Sequence, residues 1–181
     1  VMLLNLCKQH VFIQDDLTET FALGYHTETT PGGGWRYTQM RELVYGAKPY
    51  NRPVTAAHRD QATTLAQAYV AFIAQHPSYN RSTVVVAVPG HTEKSFDLPA
   101  ELAGQIATAC AKLDGRQFVQ KVRQTRPVKD CKTEREKIDN VRNAFAMRSG
   151  ADIAGQDVIL IDDIYQSGFT LNEVGGGLFE A

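Results

Sequence analysis

Four consecutive large aliphatic residues, Val158-Ile159-Leu160-Ile161, run directly into two carboxylates, Asp162-Asp163. An unbroken aliphatic run of this length reads as a short strand buried on both faces, the pattern of a parallel sheet. The acid pair then falls at the strand's carboxyl end, the edge at which open α/β sheets bind ligands. A short loop follows, Ile164-Tyr165-Gln166-Ser167-Gly168-Phe169. A helix start is predicted at Thr170-Leu171-Asn172-Glu173, where Thr170 and Glu173 have the spacing of a capping box.

Each piece has a chemical use. A loop that runs into a helix N-terminus offers unpaired backbone N–H groups and a positive dipole end, which suit a phosphate. Gly168 allows close backbone approach to an anion. Ser167 and Thr170 bring hydroxyl donors. Two carboxylates would repel a phosphate, so they suit sugar hydroxyls, or Mg²⁺ held through water. A ribose with a 5′-phosphate satisfies both halves. The plainer alternative is a buried strand, an acidic turn and an ordinary helix cap.

At these residues the chain resembles the type I phosphoribosyltransferases, whose signature is an aliphatic run, two acids and a small hydroxyl-rich loop with Gly and Thr. Gln166 departs from it, since a Thr or another small or polar residue is common there. The resemblance implies that Asp162 and Asp163 contact the ribose hydroxyls of phosphoribosyl pyrophosphate (PRPP) and are the catalytic pair. It implies that Ile164, Tyr165, Gln166, Ser167, Gly168, Phe169 and Thr170 hold the 5′-phosphate. Mg²⁺ is the implied cofactor, reached from Asp162 and Asp163 through water.

A pyrophosphate group needs its own cradle. A second aliphatic strand, Thr83 to Val88, runs into Pro89-Gly90-His91-Thr92-Glu93-Lys94-Ser95-Phe96. Gly90 permits a tight turn and Lys94 supplies a cation, so Pro89, Gly90, His91 and Lys94 are the pyrophosphate candidates. For His91, a solvated loop histidine is a nearly equal reading. Between residues 121 and 142 there are eight Lys or Arg against four Asp or Glu. Such a stretch is usually a solvated face or mobile loop. Its place between strands also suits a lid over a polyanion, with Arg123, Arg126, Lys129 and Lys132 as phosphate partners.

The wording of this part is most similar to the ComF-type phosphoribosyltransferases, associated with DNA-uptake competence. The matching residues are Arg123, Thr125, Lys137, Asn140, Val141, Ala144 and Phe145, with Pro89, His91, Lys94 and Phe96 upstream. Ser95 stands where those proteins carry Gly, and the N-terminal cysteine module of some members is absent. The likeness covers residues 83 to 174.

The remaining elements are read from pattern. Residues His10 to Glu28 predict a hairpin, with His10-Val11-Phe12-Ile13 and Thr20 to Tyr25 β-prone and Asp15-Asp16 as turn chemistry. Thr29 to Trp35 reads as a flexible loop around Pro31-Gly32-Gly33-Gly34. A short helix is predicted over Tyr37 to Tyr45 and a longer amphipathic one over Thr55 to Gln75. His58, at the start of the latter, is expected to be exposed. Leu98, Leu102, Ile106 and Leu113 mark another helix, capped by Asp97 with Pro99 in its first turn. Phe118 to Val122 is expected as a third strand, and Asn143 to Met147 as a short strand before the acid pair. Gly175-Gly176-Gly177 is a poor helix continuation, so the last helix either ends there or is weak, and the natural chain is open to continuing past residue 181.

The expected fold class is therefore α/β: a mostly parallel sheet flanked by helices, like that of type I phosphoribosyltransferases, with an N-terminal β-hairpin or hood. Residues 1–53 are assigned to the hairpin and hood, and residues 54–181 to the core. The expected activity is phosphoribosyl transfer from Mg²⁺–PRPP to a nucleobase-like acceptor nitrogen with release of pyrophosphate. The alternative is a non-catalytic module that senses PRPP or a nucleotide. Formal net charge is −1, which argues against a general nucleic-acid binder. No run of apolar residues reaches membrane-spanning length. The three cysteines are odd in number and widely spaced, which fits a reducing compartment, and a cytoplasmic location is expected. The expected partners are PRPP and a small acceptor, with room for a homodimer.

Overall fold

The computed structural model describes residues 10–50, 52–90, 96–127 and 130–179. The chain divides into two compact units between Asn80 and Arg81. The sequence places a boundary after Pro53; compactness places one after Asn80.

Among the described residues, the first unit opens with the expected hairpin. Strand β1 (Val11–Ile13) pairs antiparallel with β2 (Thr20–Ala22), and Phe12 faces Phe21 with ring centroids 5.5 Å apart. Asp15 shapes the turn: its Oδ1 accepts from the Leu17 N–H at 3.1 Å and from the Thr20 hydroxyl at 3.0 Å. A second hairpin, β3 (Thr27–Thr29) with β4 (Trp35–Tyr37), occupies the stretch expected to be a flexible loop. Its Pro-Gly-rich connection is a closed turn. The Thr30 N–H donates to the Gly34 carbonyl at 2.8 Å, and Gly33 sits at φ 79°, a conformation that favours glycine.

Helix α1 (Gln39–Ala47) is capped by Thr38, whose hydroxyl accepts from the Arg41 N–H. It packs against helix α2 (Ala56–Gln75). Met40, Val44 and Ala47 are buried on α1, and Ala62, Leu65, Ala66, Phe72 and Ile73 on α2. The Gln61 side-chain amide occupies the space beside Gly46. His58 is half-buried and caps α2: its Nδ1 accepts from the Thr55 N–H at 2.9 Å, placing a neutral ring's proton on Nε2. The short helix α3 (Pro77–Arg81) follows.

Tyr79 joins an aromatic cluster with Phe21, Phe72 and His76, and its hydroxyl donates to the Glu19 carbonyl at 2.8 Å. Burial, reinforced by the Glu19 and Asp15 carboxylates, pushes this hydroxyl well above the ordinary tyrosine range. The folded state thus holds the proton more tightly than the unfolded chain does. The resulting stability is fully present below about pH 10, where free tyrosine is also neutral, and is lost as pH rises toward the folded value. Tyr79→Phe is expected to flatten the alkaline fall in stability. Urea melts at a series of alkaline pH values check this, and parallel curves for the two proteins would contradict it.

The second unit contains the parallel sheet. Its order is β6 (Leu113–Asp114), β5 (Val84–Ala87), β9 (Val158–Ile161), with all pairings parallel. It has three strands, so it is smaller than the full doubly wound sheet of many α/β proteins. Central β5 is buried at every position. Strand β9 is not: Ile159 and Ile161 are buried, while Val158 and Leu160 are half-buried. The aliphatic run predicted burial on both faces, but β9 is an edge strand with one closely covered face.

Helix α4 (Leu98–Ala109) packs on all three strands of this sheet, burying Leu102 and Ile106. Asp97 stands at the N-cap position, as expected, but its side chain makes no capping hydrogen bond to the helix. Leu113 is not part of the helix. Ala111 turns left-handed at φ 52°, the Lys112 N–H donates back to the Ala107 carbonyl at 2.9 Å, and the chain leaves in a Schellman-type ending to form β6. The expected strand at Phe118 to Val122 is present as β7 (Val119–Lys121), but it lies outside the parallel sheet. It pairs antiparallel with β8 (Phe145–Met147). Between them lies α5 (Glu134–Val141), and the described chain ends in α6 (Phe169–Phe179).

Candidate functional site at the carboxyl edge of the sheet

Strand β5 leads through α4 to β6 on one side, while β9 lies on β5's other side. The strand order therefore reverses between β5 and β9. In open parallel sheets, that reversal opens a crevice beyond the carboxyl ends of the two strands. The register aligns the two exits: Ala87 sits opposite Ile161, and the Val88 N–H donates to the Ile161 carbonyl at 2.9 Å. The Pro89 loop and the Asp162-Asp163 pair leave the sheet side by side.

Asp162 and Asp163 are both half-buried. The Asp163 N–H donates to Asp162 Oδ1 at 2.8 Å, which orients the first carboxylate. In the loop that follows, Ile164 and Gln166 are exposed, whereas Tyr165, Ser167, Phe169 and Thr170 are half-buried. Gly168 is buried at φ 72°, and a side chain there would strike the Tyr165 hydroxyl. Glycine is therefore favoured twice over, by backbone conformation and by space.

The helix begins earlier than its capping-box spacing predicts. Phe169 is its first residue, and the Gly168 carbonyl accepts from the Asn172 N–H at 2.8 Å. Thr170 is thus inside the first turn rather than at the cap. Glu173 turns to a different partner: its Oε1 accepts from the Asn143 N–H at 2.6 Å. Gly175-Gly176-Gly177 does not end the helix, which continues to Phe179.

Pro89 and Gly90 are half-buried at the exit of β5, and the Asp97 carboxylate lies against Gly90 where a side chain would otherwise sit. His91 and Lys94 fall outside the described residues, as does Lys129.

The other lid residues hold the chain around α5. Arg123 Nη2 donates to the carbonyls of Asn140 at 3.0 Å and Arg142 at 2.6 Å, near the helix C-terminus. A guanidinium suits that position, since it satisfies end carbonyls and opposes the negative dipole end. The Arg126 N–H donates to Asn140 Oδ1 at 3.0 Å, and Asn140 Nδ2 donates back to the Arg126 carbonyl at 2.9 Å. Glu136 receives the Lys132 N–H at 2.8 Å and faces the Arg126 guanidinium at 3.6 Å. Lys121 donates to the Thr125 hydroxyl at 2.7 Å, and burial, with Arg123 beside it, lowers its ammonium pKa. An open depression along α5 is lined by Thr133, Glu134, Arg135, Ile138, Asp139 and Arg142, and includes none of the acid-pair or phosphate-loop residues.

Among the described residues, no group of three or more His, Cys, Asp or Glu is arranged to hold a metal ion. The adjacent carboxylates are hard oxygen donors, and they fit Mg²⁺ carried mainly by water and substrate phosphates rather than by an all-protein cage. Among the described residues, no helix is long and apolar enough to cross a membrane. Comparison of the chain with family profiles, curated proteins and solved structures gives no match. Two residues with structural parts here, Asn143 and Glu173, were not singled out from sequence for those roles. Asn143 carries one recognisable signal, an asparagine just beyond a helix end, where left-handed backbone is common.

Proposed function

We propose that this protein binds Mg²⁺–PRPP and transfers its phosphoribosyl group to an acceptor nitrogen, releasing pyrophosphate. The supporting observation is the reversal of strand order between β5 and β9, with the acid pair and the Pro89 loop leaving side by side.

In this reading Asp162 and Asp163 accept hydrogen bonds from the ribose hydroxyls and orient the sugar. The backbone N–H groups of the Ile164–Thr170 loop, the Ser167 and Thr170 hydroxyls and the N-terminus of α6 hold the 5′-phosphate. Lys94, in the loop that leaves β5 at Pro89, would supply a cation for the leaving pyrophosphate. Bond breaking at the anomeric carbon builds positive charge on the sugar and negative charge on the leaving group. The fixed carboxylates stabilise the first, and the cationic loop the second. Mg²⁺, when bound, supplies charge neutralisation at the phosphates. Closure of the basic segment would exclude water that otherwise hydrolyses the sugar. The compartment would be cytoplasmic.

The test is PRPP-dependent pyrophosphate release across a panel of nucleobases. Release that requires one of them supports transfer; no release with any base, despite PRPP binding, assigns the chain to the second reading. That reading is a sensor that binds PRPP or a nucleotide without turnover. One observation favours it: Arg123 and Arg126 are engaged around α5, which leaves fewer cations for a leaving group.

A further inference from the structure

The peptide unit joining Arg142 to Asn143 is held from both sides. Arg142 has φ −53° and ψ 128°, and Asn143 has φ 53°. The Ala144 N–H donates to the Val141 carbonyl at 3.0 Å. These values describe a type II turn, in which the third residue must adopt positive φ and is usually Gly or Asn. In a trans peptide, the carbonyl and the N–H point opposite ways. Here each meets a charged side chain. Arg123 Nη2 donates to the Arg142 carbonyl at 2.6 Å, and Glu173 Oε1 accepts from the Asn143 N–H at 2.6 Å.

The two side chains come from different parts of the unit. Arg123 lies just past β7, in the basic segment. Glu173 lies on α6, little more than one turn from Gly168, where the acid-pair loop enters the helix. Helices α5 and α6 also pack together. The turn is thus a joint between the basic segment and the helix whose N-terminus closes the loop.

We infer that Glu173 is a positioning residue for the ribose-phosphate site: by gripping the Asn143 N–H it fixes α6, and with it the Gly168–Thr170 turn. This rests on the function proposed above. Glu173 touches no ligand in this scheme and acts through the helix. The bond is solvent-exposed, so its own energy is modest, and its effect is one of orientation, felt where α6 must present N–H groups to a phosphate.

The experiment uses the full chain and two readouts. Amide hydrogen exchange at Asn143, measured by NMR without ligand, reads the grip itself. Calorimetric titration with ribose 5-phosphate reads the site. Glu173→Ala is expected to speed exchange at Asn143 and to weaken ribose 5-phosphate about threefold. Glu173→Gln keeps an acceptor oxygen and is expected to restore most of both. Asn143→Val, which disfavours left-handed backbone without altering α6, is expected to weaken the sugar phosphate in the same way and serves if Glu173→Ala does not fold. Unchanged exchange in Glu173→Ala overturns the grip. Faster exchange with wild-type binding overturns the positioning role and leaves the ribose-phosphate site standing. If the unaltered protein binds no ribose 5-phosphate, the proposed function fails and takes the positioning role with it, while the exchange data still report the joint.

Discussion

Asp162→Asn combined with Asp163→Asn is expected to abolish the heat stabilisation that Mg²⁺ and PRPP confer on the unaltered protein. A ligand that binds only the folded state stabilises it by about 2.7 kcal/mol at a hundredfold excess over Kd. The whole of that term depends on the site. The replacements are nearly isosteric, and asparagine at residue 162 keeps an oxygen to accept the Asp163 N–H. The fold should therefore survive while the sugar loses its charged acceptors. Thermal melts of both proteins with and without Mg²⁺–PRPP give the answer. An equal upward shift in the double variant would remove the claim that these acids hold the ribose.

Ile106→Ala is expected to lower stability by about 3 kcal/mol through lost burial and the cavity it leaves. Ile106 is 0% exposed on α4, the helix that covers all three strands of the parallel sheet. It lies far along the helix from the Pro89 loop, so the ligand-induced shift should persist in whatever fraction remains folded. Urea unfolding followed by far-ultraviolet circular dichroism measures the loss. A change below about 1 kcal/mol would mean that neighbouring side chains collapse into the space.

The sequence shows the second unit better than it shows how that unit is wired. Unbroken aliphatic runs located β5 and β9, because burial on at least one face favours such runs. They did not reveal that β9 is an edge strand, since half-burial tolerates the same residues. Strand β6 has two residues, Leu113 and Asp114, too few to carry a period, and Leu113 also fits the preceding helical spacing. The left-handed Ala111 that separates them has no compositional warning. Strand β7 was visible, but pairing partners are tertiary information.

The acid pair follows the carboxyl end of β9, and Gly168 directly precedes α6. The Thr170–Glu173 spacing misled, because the helix starts two residues earlier than a cap at Thr170 would place it and Glu173 is recruited by a distant peptide. The glycine triplet weakens α6 without ending it, since Leu171 and Val174 are buried and packing overrides propensity. The charged segment looks loose by composition. Its described residues are held instead by side chains that bond backbone groups up to nineteen positions away, as Arg123 does with Arg142.

The parallel pairing of β5 with β9 also governs how the chain can be made. The two strands are joined by a long excursion: Thr83 bonds the Asp157 carbonyl across 74 positions. At ribosomal speeds of about 5–20 residues per second, that interval lasts roughly four to fifteen seconds. Throughout it, Val84-Val85-Val86-Ala87-Val88 is an apolar, uncharged β-prone ribbon without its long-range neighbour. Nascent chains of this protein should therefore be most vulnerable to aggregation, and most dependent on chaperones, after β5 emerges and before β9 does.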